Sequence, residues 1–239
     1  MHGPRIQKLR SQIHEKTHRS NIGLVSDGDN AGSEFAPVSA AIHAKRFAKK
    51  KMRILISGGP GSGCTSTALA LGELLGIPVF DSDAYFHKPT DPPFQEQYTP
   101  EERRELLNAV LASESSWILS GSVATWGVSL NNPTHGIFLD PSKESRLNRL
   151  GERQRSQFGR RIDFGGDMQQ EHESFMEWAA GYDDRTGVGR NSITDQKFLV
   201  SSCEHFLSIT GNVPFQEVVS KITNFLNNIT DAEQIVVAD

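Results

Sequence analysis

The sequence predicts an α/β protein: a parallel sheet with helices on both faces. Short apolar runs alternate with amphipathic stretches along most of the chain, and the connections between runs are long enough for crossovers rather than hairpins. No internal repeat interrupts the pattern.

The first run is Arg53-Ile-Leu-Ile-Ser57, and Thr65 to Leu75 follows as a helix with Leu69, Leu71, Leu74 and Leu75 at helical spacing. Ile77-Pro-Val-Phe80 is a second strand ending in Asp81 and Asp83. Thr99-Pro-Glu-Glu102 supplies a capping box with proline in the first turn, so a helix opens there with Leu106, Leu107, Val110 and Leu111 as its apolar face. Trp117-Ile-Leu119 and Gly136-Ile-Phe-Leu139 are the third and fourth strands, and Asp140-Pro141 is placed to start a helix. Phe206-Leu-Ser-Ile209 is the fifth strand, and Pro214 to Leu226 the amphipathic closing helix. Between the fourth and fifth strands, Gly166 to Trp178 reads as a further helix; Glu171-His172-Glu173 points its side chains in different directions and does not suggest a metal site.

Charge divides the 239 residues unevenly. Residues 1–51 carry ten Lys or Arg against four acids, a net +6, and the remainder carries 15 against 25, a net −10. Residues 20–35, polar and Gly-rich without periodicity, are expected to be disordered. This divides the chain into a basic extension (1–51), a folded domain (52–226) and a C-terminal tail (227–239). A nucleic-acid arm, an organelle-targeting peptide and a translation start at Met52 are alternative readings of the extension. No run approaches the about 18 to 20 apolar residues of a membrane span, and two cysteines make no disulfide framework. A soluble, cytoplasmic protein is the expectation.

Gly58-Gly-Pro-Gly-Ser-Gly-Cys64-Thr65 fits the phosphate-loop pattern G-x-x-x-x-G-K-[ST] at every fixed position except the lysine, which is Cys64. It follows a strand and opens a helix, so backbone N–H groups and the positive end of the helix dipole converge on one point, with the Thr65 hydroxyl placed for Mg2+. The competing reading is a Gly-rich turn in an unrelated α/β protein. A thiol at such a helix end is expected to favour its thiolate.

From Met52 to Leu226 the chain resembles the P-loop small-molecule kinases, the group that holds adenylate, cytidylate and shikimate kinases and the topology-modulation proteins. Met52-Arg-Ile-Leu-Ile-Ser-Gly-Gly-Pro-Gly-Ser-Gly63 and Thr210-Gly-Asn-Val-Pro214 carry the likeness. The resemblance implies a three-layer P-loop NTPase fold with sheet order 2-3-1-4-5, an acceptor segment between the second and third strands, a lid segment before the fifth, and Gly211 and Asn212 beside a nucleotide base. It also locates two departures: Cys64 for the lysine, and Ser120 where many relatives hold an acid at the end of the third strand.

The nucleotide-binding residues expected from the loop and the resemblance are Gly58, Gly59, Pro60, Gly61, Ser62, Gly63, Cys64, Thr65 and Ser66, with Gly211 and Asn212. Thr65 and Asp81 are the candidate metal ligands, and Asp83 the group that orients or deprotonates an acceptor hydroxyl; an acidic helix cap is the plainer reading of the pair. His87 and Lys88, in the aromatic, Pro-rich stretch that follows, read as solvated. Arg146, Arg149 and Arg153 fall within one helical arc, and Arg149 and Arg153 are assigned as catalytic lid arginines. Arg155, Arg160, Arg161 and Arg190 extend the cationic supply around a Gly-rich segment, and an arginine here has the donors to replace the missing lysine charge. The expected activity is transfer of the γ-phosphoryl group of ATP-Mg2+ to a small-molecule acceptor by a monomer or weak homodimer, without membrane or nucleic-acid partners. A nucleotide-binding regulatory protein and a simple NTPase are the alternatives.

Overall fold

The computed structural model describes residues 51–90, 95–187 and 189–236. The basic extension, apart from Lys51, and four residues of the Pro-rich stretch lie outside these. Strands β1 (Arg53–Gly58), β2 (Val79–Asp81), β3 (Trp117–Ser120), β4 (His135–Asp140) and β5 (His205–Thr210) form one sheet in the order β2-β3-β1-β4-β5. Every pairing is parallel, with Ile56 opposite Ser120 on one side and Ile137 on the other. This is the predicted fold class and strand order.

The seven α-helices among the described residues are α1 (Cys64–Leu75), α2 (Asp83–Phe86), α3 (Pro100–Ser113), α4 (Lys143–Phe158), α5 (Gln169–Ala180), α6 (Ser192–Ser202) and α7 (Phe215–Val236), and a single 3-10 turn at Gly159–Ile162 follows α4.

 The helices form for readable reasons. The capping box of α3 is present in full, with Thr99 N donating to Glu102 Oε2 at 2.9 Å and Glu102 N to Thr99 Oγ1 at 3.2 Å. Helix α4 is capped by Ser142, whose hydroxyl accepts from Ser145 N, rather than by the expected Asp140-Pro141 pair, because Asp140 completes β4. Helix α6 was not anticipated from periodicity; its cap is Asn191, which accepts from Thr194 N at 2.9 Å. The closing helix does not stop at Leu226 but runs to Val236, into the segment expected to be a tail.

Strand alternation distributes the core between two faces. Ile54 and Ile56 meet Ala68, Leu71 and Leu75 of α1 with Ile222 and Leu226 of α7. Leu55, Trp117, Leu119 and Phe138 meet Leu107 and Leu111 of α3 with Leu199 of α6. A fully buried leucine such as Leu71 contributes about 1.5–3 kcal/mol. Because all five strands run the same way, Gly58, Asp81, Ser120, Asp140 and Thr210 end at one edge, and the functional residues collect there.

Candidate functional site

At that edge β1 turns into α1 through the glycine loop. Gly61 and Gly63 have φ of +82° and +92°, a left-handed backbone that suits glycine. Gly63 caps α1 with no side chain, and there is no acid in the first turn. Among the described residues the amides of Cys64, Thr65 and Ser66 find no backbone acceptor, so the helix presents an open, electropositive end. Backbone leaves no room for a side chain at two positions: a Cβ on Gly58 would lie 2.3 Å from Leu139 O, and one on Gly61 2.3 Å from Arg146 O.

Thr65 and Asp81, the candidate metal ligands, lie within hydrogen-bond distance of each other. Thr65 Oγ1 donates to Asp81 Oδ2 at 2.8 Å, and Asp83 N donates to Asp81 Oδ1 at 2.9 Å. Burial and the neighbouring Asp83 carboxylate push the Asp81 carboxyl up to about 6. A hydroxyl beside a carboxylate made reluctant to ionise is a donor set that a divalent cation would complete, since its charge removes the penalty. Asp83 itself is exposed at the start of α2. Lys88 is not free in solvent: it lies 3.6 Å from Glu96 and over the Tyr98 ring.

On the other side of α1 a cavity of about 290 Å³ opens between Ser66 and Thr67, Gly211 and Val213, and Arg149. It approaches the lower end of small-ligand pockets, about 300 Å³. Gly211 borders it as expected, whereas the Asn212 amide is engaged with Ser142, accepting from its N and donating to its Oγ, both at 3.1 Å. Asn212 therefore anchors the loop after β5 to the cap of α4.

The arginine arc of α4 divides. Arg146, expected on the same arc as the lid arginines, is 1% exposed; its Nη1 donates to Pro60 O at 3.1 Å, its Nη2 pairs with Asp183, and its guanidinium lies 5.4 Å from the Tyr182 ring centre. Its charge is spent inside the fold, bracing the loop from behind. Arg149 lines the cavity, and Arg153 is exposed. Burial and the Asp183 carboxylate also raise the Asp140 carboxyl above its ordinary value.

Cys64 corrects the expectation of an activated thiolate. Burial pushes its thiol up to about 11, against the smaller opposing effects of a Ser62 hydroxyl 3.2 Å from its sulfur and of the Arg190 charge. Desolvation outweighs both. Cys203, packed against Gly136, is pushed up to about 12 by burial.

Sequence reasoning missed Asp195. This carboxylate, in the first turn of α6 and 1% exposed, accepts from Ser122 Oγ at 2.5 Å, Tyr182 OH at 2.7 Å and Ser57 Oγ at 3.3 Å, and lies 3.6 Å from Arg190 Nε. Burial and the Asp195 charge raise the Tyr182 hydroxyl far above its ordinary value, so it stays a donor. The only local signal was the Asn191-x-x-Thr194 cap, which would have located α6 and with it Asp195 one turn inside.

No family model matches the chain. In sequence it is 28% identical over 179 residues to the uncharacterized protein YqaC of Bacillus subtilis strain 168, spanning 74% of this chain and 99% of that protein. In structure it is similar to a shikimate kinase from Acinetobacter baumannii in complex with shikimate, at 15% identity and a TM-score of 0.48, covering 77% of this chain and 97% of that one. A gluconokinase from Sinorhizobium meliloti 1021 is similar at 16% identity and a TM-score of 0.45, with the same two coverages. What this chain can do follows from its own loop, carboxylates and arginines.

Proposed function

We propose that the protein binds ATP with Mg2+ and transfers the γ-phosphoryl group to a small acceptor, a nucleotide or a hydroxyl-bearing metabolite. The observation that carries this reading is the open, uncapped end of α1 directly after a glycine loop at the carboxyl edge of a parallel sheet. The amides of the loop would hold phosphate oxygens, and the cavity beside Arg149 and Gly211 would take the base. Thr65 and Asp81 would hold Mg2+, which supplies charge neutralisation to the phosphates. Asp83, exposed beyond the metal pair, is assigned to orient the acceptor hydroxyl, and Arg149 and Arg153 to stabilise charge on the transferred group.

The second reading is a nucleotide-binding regulatory protein without transfer chemistry. It is favoured by Cys64, a neutral thiol where a lysine is expected, and by Ser120 in place of an acid. Incubation of the protein with labelled ATP, Mg2+ and a panel of nucleoside monophosphates and small polyols separates the two. A phosphorylated acceptor eliminates the binding-only reading; phosphate release that no acceptor alters indicates a simple NTPase; tight ATP binding with neither product removes the transferase assignment.

A further inference from the structure

The loop lacks its lysine, yet one cation reaches across it from another part of the chain. Arg190, between α5 and α6, donates from Nη2 to the carbonyl of Gly58, the first residue of the loop, at 3.1 Å. Its charge is also felt at the Cys64 thiol, the position the lysine would occupy. It is therefore fixed to the first residue of the loop. Arg146 also touches the loop, but that guanidinium is buried and paired with Asp183. Arg190 is different: its side chain is 28% exposed, its nearest carboxylate is 3.6 Å away, and its buried Nε makes no hydrogen bond.

The surroundings hold Arg190 in this place. Its guanidinium lies 5.6 Å from the Trp178 ring centre and 5.9 Å from that of Tyr182. Asp195, its ionic partner, has hydrogen bonds from Ser57, Ser122 and Tyr182 and so cannot swing away with it. An arginine anchored in this manner has donors left over for a phosphate oxygen.

We propose that Arg190 is the phosphate-binding cation of this site, replacing from the α5–α6 connection the charge that Cys64 does not provide, with Asp195 as its positioning residue. This rests on the nucleotide-binding reading above and names the residue that makes it workable without the lysine.

The test is calorimetric binding of ATP, inorganic pyrophosphate and adenosine to the full chain and to Arg190→Ala. Loss of one charge-assisted hydrogen bond to phosphate predicts about a ten- to hundredfold weaker affinity for ATP and pyrophosphate, with adenosine unchanged. Cys64→Lys in the Arg190→Ala background should recover most of that loss, because the charge returns from the other side of the loop. Arg190→Lys, which keeps the charge without the fork, should be intermediate and serves where the alanine variant melts early. Equal affinity in Arg190→Ala, a loss shared by adenosine, or no recovery with Cys64→Lys would each overturn the assignment of Arg190. A wild-type chain that binds neither ATP nor pyrophosphate would instead overturn the nucleotide-binding reading itself.

Discussion

The phosphate loop and the segment that clasps it are built in opposite ways. The loop is contiguous, Gly58 to Thr65, carries no charged side chain, and works through its backbone amides and the end of α1. The clasp draws on Trp178, Tyr182, Asp183, Arg190 and Asp195, spread along the chain from α5 into α6, and works through side chains. The shape of the cradle and its charge are thus separable. Shape needs neighbouring residues of particular backbone freedom; charge can arrive from any element the fold brings close.

The largest effect is expected on the clasp. Asp195→Ala would leave three hydroxyls and Arg190 without their shared acceptor, and denaturant unfolding should show a loss of about 3–5 kcal/mol. A loss below about 1 kcal/mol would mean that Asp195 does not hold the clasp together.

The loop should be most sensitive where backbone meets backbone. Gly61→Ala combines a φ of +82° with a contact 2.3 Å from Arg146 O, and about 3 kcal/mol of destabilisation is expected. Gly63→Ala has a similar φ of +92° but open space around it, and should cost about 1 kcal/mol. Equal melting temperatures for the two variants would break the claim that the loop is shaped by close approach to α4.

Asp81 gives the metal side its own pH dependence. With its carboxyl raised from 3.8 to about 6, the native state keeps a proton that the unfolded chain has already lost between those values. Stability therefore falls as pH rises through this window and stays lower above it. Asp81→Asn should flatten that slope and gain about 1 kcal/mol at pH 8, measured by unfolding at pH 4.5 and pH 8. Mg2+-dependent ATP binding should run the other way, strengthening as pH rises through about 6, because the metal needs the carboxylate.

The smallest effect is the loss of one hydroxyl. Thr65→Ala removes the donor to Asp81 and the candidate metal ligand, and should weaken ATP binding about fivefold in Mg2+ while leaving metal-free binding nearly unchanged. Equal weakening with and without Mg2+ would detach the loop from the metal pair.

The backbone half of the site was legible in advance. Glycines, a strand before them and a helix after them are local patterns, as are the five apolar strands and the capping box of α3. The clasp was not. Asp195 is an unremarked acid in Ser192-Ile-Thr-Asp195, and Arg190 was one of several arginines in a Gly-rich stretch. Hydrogen bonding to Ser57 and Ser122 crosses 138 and 73 residues of sequence, a separation at which one chain offers no periodicity to read. The Cys64 thiol departs from expectation for a related reason: the helix end is visible in sequence, whereas the desolvation that raises the thiol depends on what packs around the side chain.

By itself, then, the sequence determined the alternation of strands and helices, the strand that feeds the glycine loop, and the residues of that loop, because each depends on dihedral freedom and hydrophobic period within a few neighbouring positions. Tertiary structure decided which of the arginines was consumed and which was left available. Arg146 and Arg149 share an arc of α4, yet Asp183 and Pro60 take the first while the second borders the cavity. Arg190 acquires its place because α6 packs against β1 and brings Asp195 beneath the loop, and a buried carboxylate with three hydroxyl donors holds its cation where a solvated one would not.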